Sequence, residues 1–377
     1  YVTLNEIYTK AKVGDQKNKS QIFNSFTNIM RYSHSFSEEE YKKSPLYYIH
    51  TSGSTGMPKA AGVSYASFDS LLTWYCELLS QFDDPVMLLA SHFSFDLTQK
   101  NIFSSVFLGI KCVIPETHPF DVYELIALIS KHQVSIVNLS PSIFYAILDC
   151  AEKESLFSSL ESLEGIILGG EPIHPARFMP WLQWKKNHQI PVNVRLFNSY
   201  GPTECTDVVS SFEWKLEETH LYHQIPLGRP LPHVDLLILN HRGYLLPDGF
   251  KGMLYIAGQA VGLGYWRNDI ENHQKFINHA QFGKIYHSGD IAYIDEHQSV
   301  HYVGRIDHQV KLRGVRLELS EIEWALKKQQ GVKEAVCIVH DHRLIAYIEA
   351  EREDDASYFD LLSKELPRYC IPDFFMY

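Results

Sequence analysis

Cysteine is scarce in this chain of 377 residues. Its six copies, Cys76, Cys112, Cys150, Cys205, Cys337 and Cys370, are scattered along the sequence. None forms a C-x-x-C pair or a zinc-type spacing, so a disulfide scaffold and a structural zinc site are excluded. Reduced, mostly buried thiols of a cytoplasmic protein are the expectation. Positive charge is also short: 34 Lys and Arg stand against 45 Asp and Glu, a formal net charge of −11. That balance argues against nucleic acid or an anionic membrane surface as a partner. No apolar run approaches the roughly 20 residues of a membrane span. The N-terminus lacks the basic-then-apolar layout of a secretion signal. It lacks an initiator Met as well, which points to a piece excised from a longer protein. Internal repeats and low-complexity tracts are absent.

Apolar residues make up 45% of the chain and charged residues 21%, the proportions of an ordinary globular protein with room for two or three domains. Strand-length apolar runs recur at Val86–Ala90, Val106–Ile114, Val134–Leu139, Gly165–Leu168 and Val192–Phe197. Helix-like stretches such as Tyr65–Leu79, Val122–Lys131 and Ile143–Lys153 lie between several of them. Strands alternating with helices predict an α/β fold of layered, mostly parallel sheets flanked by helices. From about residue 210 to 300, short strands separated by Gly, Pro, Asn and Asp turns predict a small β-rich subdomain. Beyond it, strands around Val303–Leu317 and Ala335–Val339 and helices at Ser320–Gln330 and from Ser357 predict a compact α+β C-terminal piece.

The chemistry is concentrated in a few stretches. Thr51-Ser52-Gly53-Ser54-Thr55-Gly56-Met57-Pro58-Lys59 packs four hydroxyls and two glycines into six residues, with a lysine three places on. Backbone amides freed by glycine, hydroxyl donors and an ammonium make a cradle for phosphate oxygens. The spacing does not match G-x-x-x-x-G-K-[ST], so a P-loop is excluded. Four further stretches follow in order: Asn198-Ser199-Tyr200-Gly201-Pro202-Thr203-Glu204, then Gly252–Gly258 with Gly264-Tyr265-Trp266, then Tyr286-His287-Ser288-Gly289-Asp290, then Gly304–Gly314 beginning Gly304-Arg305-Ile306-Asp307.

In order and spacing these motifs resemble the adenylate-forming enzymes, and among them the amino-acid adenylation domains of nonribosomal peptide synthetases. The resemblance runs from about Leu46 to the last residue. It implies ATP-dependent activation of a carboxylate as an acyl-adenylate with release of pyrophosphate, then transfer of the acyl group to the phosphopantetheine thiol of a carrier protein. Other synthetase domains are implied as neighbours. It implies ATP and Mg²⁺ at the site. Thr51, Ser52, Gly53, Ser54, Thr55, Gly56 and Lys59 fall on the loop over the β- and γ-phosphates, with Lys59 as a phosphate clamp. Tyr200 falls on the adenine platform, Thr203 on the α-phosphate contact and Glu204 on the Mg²⁺ ligand, a hard carboxylate oxygen for a hard cation. Asp290 falls on the acceptor of both ribose hydroxyls, and Arg305 on a ribose or phosphate contact. Gly170 and Glu171, in Gly169-Gly170-Glu171, fall on the segment along the adenine and substrate. Asp307 falls on the hinge, which divides a large core, 1–306, from a small mobile C-terminal domain, 307–377.

Phe95-Asp96 resembles the family's pair whose Asp takes the α-ammonium of an amino acid. A buried carboxylate without a cation is costly, so Asp96 implies an amino-acid substrate. The pocket-lining positions fall on Leu97, Lys100, Asn138, Ile166, Leu168, Ser199, Asp207 and Val208. Unpaired, those polar groups would each cost about 1–3 kcal/mol against an apolar side chain, which predicts a polar, hydrogen-bonding substrate. Lys100 suits a carboxylate or amide, and Asp207 suits a cation. If the two pair with each other, a smaller, neutral side chain is implied.

The chain departs from the pattern at Ala60 and Tyr65, where Gly and His are usual, and at Ser288, where Thr is usual. The phosphate-loop motif begins near residue 51, so the first portion of the N-terminal lobe is expected to be missing. The chain stops at Tyr377, before the late catalytic lysine, so these residues are expected to be poor at adenylate formation. Two alternatives to an amino-acid-activating domain stand open. One is a stand-alone acyl-CoA or acyl-carrier ligase, and the other is a nucleotide-binding remnant that does not turn over.

Overall fold

The computed structural model describes residues 37–51, 59–116, 120–306, 309–312, 315–329, 331–340, 343–350 and 355–377. The first described helix, α1 (Glu38–Lys43), leads into strands β1 (Pro45–Thr51) and β2 (Lys59–Ser64). There follow α2 (Tyr65–Leu79), β3 (Val86–Leu88), α3 (Asp96–Leu108), β4 (Lys111–Val113), α4 (Val122–His132), β5 (Ile136–Leu139), α5 (Pro141–Lys153), β6 (Gly165–Gly169), α6 (Met179–Asn187), β7 (Arg195–Tyr200), β8 (Ser210–Lys215) and β9 (Arg229–Pro230). Strands β3 to β9 make one seven-stranded sheet in the order β4-β3-β5-β6-β7-β8-β9. Its first five strands are mutually parallel, and β8 and β9 add antiparallel to the edge. The layered, mostly parallel expectation therefore holds.

Both faces of this sheet are covered, as parallel sheets require. On one face Val137, Leu139, Ile166, Leu168 and Leu196 pack with Leu125, Phe144, Phe178 and Trp181 of the helical layer. On the other, Ile136, Ile167 and Phe197 pack with Tyr75, Leu78 and Leu79 of α2. The Val106–Ile114 run, expected as one strand, is split. Helix α3 continues to Leu108, Gly109 caps it at φ 66°, and only Lys111–Val113 is strand. A left-handed cap is where glycine costs least, so the apolar run turns there instead of extending.

The β-rich part comprises β10 (Val234–Leu239), β11 (Gly252–Gly258), β12 (Gly264–Tyr265), the short helix α7 (Asp269–Lys275), β13 (Phe276–His279), β14 (Gly283–Ile294) and β15 (Val300–Arg305). Strands β10, β11, β14, β13 and β15 form an antiparallel sheet, while β12 joins β2 and β1. The last described segments are β16 (Gln309–Leu312), β17 (Val315–Glu318), α8 (Leu319–Lys327), β18 (Val332–His340), β19 (Arg343–Ala350), α9 (Asp355–Glu365) and β20 (Phe374–Met376). They share a core of Leu317, Ile322, Leu326, Ala335, Ala346 and Leu362. Among the described residues no helix is long and apolar enough to cross a membrane.

Candidate active site

The ends of the parallel strands and the edge of the antiparallel sheet meet at a cleft of about 360 Å³, lined by Gly170, Glu171, Tyr200, Asp290 and Arg305 among others. Five of the residues expected around the nucleotide are thus brought together. In the β14–β15 ladder Asp290 lies directly opposite Arg305, a cross-strand position suited to opposite charges. Arg305 Nη1 donates to Asp290 Oδ1 at 2.6 Å, and the Tyr200 hydroxyl donates to Oδ2. The Asp290 amide also donates to Ser288 Oγ at 3.0 Å, so Ser at this position retains the hydroxyl's use. Burial first, and the Asp290 carboxylate second, push the Tyr200 phenol well above its ordinary range. It therefore stays a neutral donor.

Gly170 sits at φ 87°, a backbone state other residues rarely adopt, and turns the chain along the cleft. The Glu171 side chain turns elsewhere. Its Oε2 accepts from the Ser142 amide at 3.0 Å and the Ser142 hydroxyl at 2.5 Å. It thereby anchors the positive N-terminal end of α5.

Next to Tyr200 the chain makes one tight turn over Thr203–Cys205 and then two successive left-handed residues, Thr206 at φ 61° and Asp207 at φ 71°. Non-glycine residues adopt this conformation at a cost and are held in it by the structure around them. The backbone folds back so closely that a Cβ on Gly201 would come 2.1 Å from the Asp207 carbonyl oxygen. The turn carries Asp207 onto Lys100 of α3, and the two form a buried ion pair. Lys100 is 1% exposed and Asp207 9%. Burial pushes the Asp207 carboxyl up from 3.8 to about 6, Lys100 opposing and Asp96 adding to the rise.

Asp96 stands in the first turn of α3. Its Oδ1 accepts from the Leu97 amide at 2.9 Å and its Oδ2 from Thr203 Oγ1 at 2.5 Å. Asn138 at the end of β5 is held by the Tyr75 hydroxyl at 3.3 Å and Asn101 Oδ1 at 3.1 Å, both accepting from its amide. The same Asn101 oxygen accepts from the Tyr75 hydroxyl at 2.6 Å, and Lys100 Nζ lies 5.4 Å from the centre of the Tyr75 ring. Ser199 Oγ donates to the Leu168 carbonyl at 3.0 Å. Val208 is buried in the adjoining core with Tyr200 and Cys205.

Two expected lining residues are placed differently. Ile166 and Leu168 point into the layer with Leu125 and Phe144, away from Lys100 and Asn138. Asn138 is in register with Ile167, and Ser199 with Gly169. Strand neighbours in register share a face, so Ile167 and Gly169 line the side toward Tyr75. A one-residue slip in a strand reverses every side chain.

Thr51 and Lys59 close the β1–β2 hairpin in direct register, with Thr51 Oγ1 donating to the Lys59 carbonyl at 3.4 Å. Ser52, Gly53, Ser54, Thr55 and Gly56 lie outside the described residues, as does Asp307, the expected hinge. Lys59 is buried and its Nζ lies 2.9 Å from Glu271 Oε2 of α7, with the Tyr265 ring centre 5.4 Å away. The Tyr265 hydroxyl donates to Glu204 Oε1 at 2.6 Å. Among the described residues no cluster of three metal-ligating side chains exists. Mg²⁺ does not need one, since it binds through one or two carboxylates with phosphate oxygens and water. Glu204, a buried acceptor-only oxygen donor, fits that requirement.

Sequence reasoning missed Tyr75, Asn101, Ile167, Tyr265 and Glu271. Only Tyr265 carried a signal, through its Gly264-Tyr265-Trp266 motif.

Residues 4–266 match the family model described as AMP-binding enzyme. The chain is 35% identical over 341 residues to gramicidin S synthase 2 of Aneurinibacillus migulanus, covering 88% of this chain and 7% of that protein. It is 31% identical over 338 residues to bacitracin synthase 3 of Bacillus licheniformis, covering 88% and 5%. It therefore spans less than a tenth of the length of these curated relatives. The fold is similar to an artificially fused adenylation–carrier di-domain synthetase from Klebsiella oxytoca, with TM-score 0.75 at 23% identity over 89% of this chain and 66% of that one. It is equally similar to the Vibrio cholerae adenylation domain AlmE, solved in complex with glycyl-adenosine-5′-phosphate, with TM-score 0.76 at 23% identity over 92% and 65%. On the extent of the family match and the shared architecture, the chain belongs to the AMP-binding, adenylate-forming enzymes.

Proposed function

We propose that this chain activates an α-amino acid as its aminoacyl-adenylate and hands the acyl group to the phosphopantetheine thiol of a carrier protein. The observation that carries the reading is the Asp96–Thr203 hydrogen bond. An amino acid held by its ammonium on Asp96 brings its carboxylate to Thr203, beside Glu204. The Tyr200 ring would support the adenine, and Asp290 with Arg305 would hold the ribose, Arg305 keeping the carboxylate oriented. Glu204 would hold Mg²⁺, which when bound supplies neutralisation of phosphate charge. Lys59 reaches a phosphate by exchanging Glu271 for it. That no disulfide joins the six cysteines supports a reducing compartment such as the cytoplasm. Asp307 is proposed as the hinge between 1–306 and 307–377.

The reading is tested by binding. Alanyl-sulfamoyl-adenosine and its des-amino counterpart, propionyl-sulfamoyl-adenosine, are titrated calorimetrically into the chain and into Asp96→Ala. A charge-assisted contact is worth about 1.5–3 kcal/mol, so the amine should tighten binding by about 10- to 100-fold. In D96A the preference should vanish. Equal binding of the two by the unaltered chain would instead support an acyl ligase that ignores the amine.

A further inference from the structure

We propose that the Lys100–Asp207 ion pair closes the floor of the amino-acid pocket and restricts the chain to a small, uncharged side chain, no larger than hydroxymethyl. The inference rests on the amino-acid reading above and names its substrate class.

Three observations carry it. The first is room. Lys100 is 1% exposed, Asn138 2%, Ser199 6% and Ile167 0%. A void large enough for water beside Lys100, Asn138 or Ile167 would register as exposed area, so little space lies around these three. The open volume nearby lies at Ser199 and Leu97, which line cavities of about 360 and 890 Å³. The second is satisfaction. Asn138 spends its amide on Tyr75 and Asn101, Ser199 spends its hydroxyl on Leu168, and Lys100 and Asp207 spend their charges on each other. The polar lining therefore does not demand a polar side chain, which removes the reason for expecting one. The third is charge. Asp96, Lys100 and Asp207 leave one net negative charge, which a single α-ammonium neutralises. A charged side chain would have to displace one partner of a buried pair and leave it uncompensated.

The pair also predicts how the specificity breaks. Removing Asp207 leaves a buried ammonium that favours a carboxylate, and removing Lys100 leaves a carboxylate that favours a cation. Removing both opens neutral volume.

Glycyl-, alanyl-, seryl-, leucyl-, phenylalanyl-, aspartyl- and lysyl-sulfamoyl-adenosine are titrated into the full chain, with ATP as a separate ligand. The first three should bind tightest, and the aspartyl and lysyl analogues at least about 100-fold more weakly. In Asp207→Ala the aspartyl analogue should gain at least about tenfold relative to alanyl, and in Lys100→Met the lysyl analogue should do so. Where a single variant does not fold, as judged by its melting curve, K100A/D207A replaces it. That double variant should gain at least about tenfold for leucyl over alanyl with no gain for either charged analogue. Wild-type preference for leucyl, phenylalanyl, aspartyl or lysyl overturns the proposal, as does an unchanged rank order in the folded variants. If the folded chain binds ATP but no aminoacyl analogue better than its des-amino form, the amino-acid reading fails first and this inference fails with it.

Discussion

The Lys59–Glu271 pair makes a demanding test because both partners are withdrawn from water. Their side chains are 5% and 9% exposed, with Nζ and Oε2 2.9 Å apart. Glu271→Gln keeps the shape and removes the charge, leaving the Lys59 ammonium buried without its counter-ion. Breaking a buried pair from one side costs about 3–5 kcal/mol, whereas replacing both partners with apolar residues of similar volume is often neutral. At about 2.1 cal/mol/K per residue, the unfolding entropy of the 377-residue chain is on the order of 0.8 kcal/mol/K, so a 4 kcal/mol loss lowers the melting midpoint by about 5 °C. Thermal unfolding of wild type, E271Q, Lys59→Met and K59M/E271L completes a double-mutant cycle. Each single variant should fall by about 5 °C, and the double variant should stay within about 2 °C of wild type. The losses should persist in high salt, because a buried pair is poorly screened. A single-variant loss below about 1 kcal/mol, or additive losses in the double variant, would refute the pair as a buried latch.

Arg305→Met leaves the buried Asp290 carboxylate with Tyr200 but without its cation, and should weaken ATP binding by about 10- to 100-fold in calorimetry. An unchanged Kd would remove the Asp290–Arg305 ladder pair from the nucleotide site. For Asp207 the sign follows from its raised carboxyl pKa, about 6 when folded against 3.8 ordinarily. Between those values the folded state binds the proton more readily, so its contribution to stability rises as pH falls from 7 toward 4, by a ceiling of roughly 3 kcal/mol. Urea titrations at pH 8 and pH 5 should show wild type gaining relative to D207N at the lower pH, and the opposite trend would mean that Lys100 outweighs burial. Gly201→Ala places a methyl 2.1 Å from the Asp207 carbonyl and should cost about 2–4 kcal/mol as the turn shifts. An unaltered melting curve would contradict the close approach.

Much of the cleft around Tyr200, Asp290 and Arg305 was legible because each motif is a short local stretch that one strand end or tight turn can present whole. Tyr200 ends β7, and Asp290 and Arg305 face each other in neighbouring strands. Alternating apolar runs and helical stretches likewise carried the layered sheet. The β6 face was not legible, and the cause is physical. Gly165-Ile166-Ile167-Leu168 is apolar throughout, as a strand buried on both sides must be. Period-two reading then has no polar residue to show which side chains face the pocket. Only pairing with β5 and β7 decides it.

The sequence by itself determined the family, the sheet class and several of the residues that meet at the cleft, since these depend on residue type and local spacing. Tertiary structure alone decided which charges meet. Lys100 meets Asp207, 107 positions away, through two strained left-handed residues, and Lys59 meets Glu271 through the docking of β12 and α7 on β2. Glu171 turned its carboxylate to a helix end for the same reason. Which buried charge finds a partner depends on three-dimensional neighbours. In a dry interior that partner decides whether a polar side chain remains free for a ligand or is already satisfied.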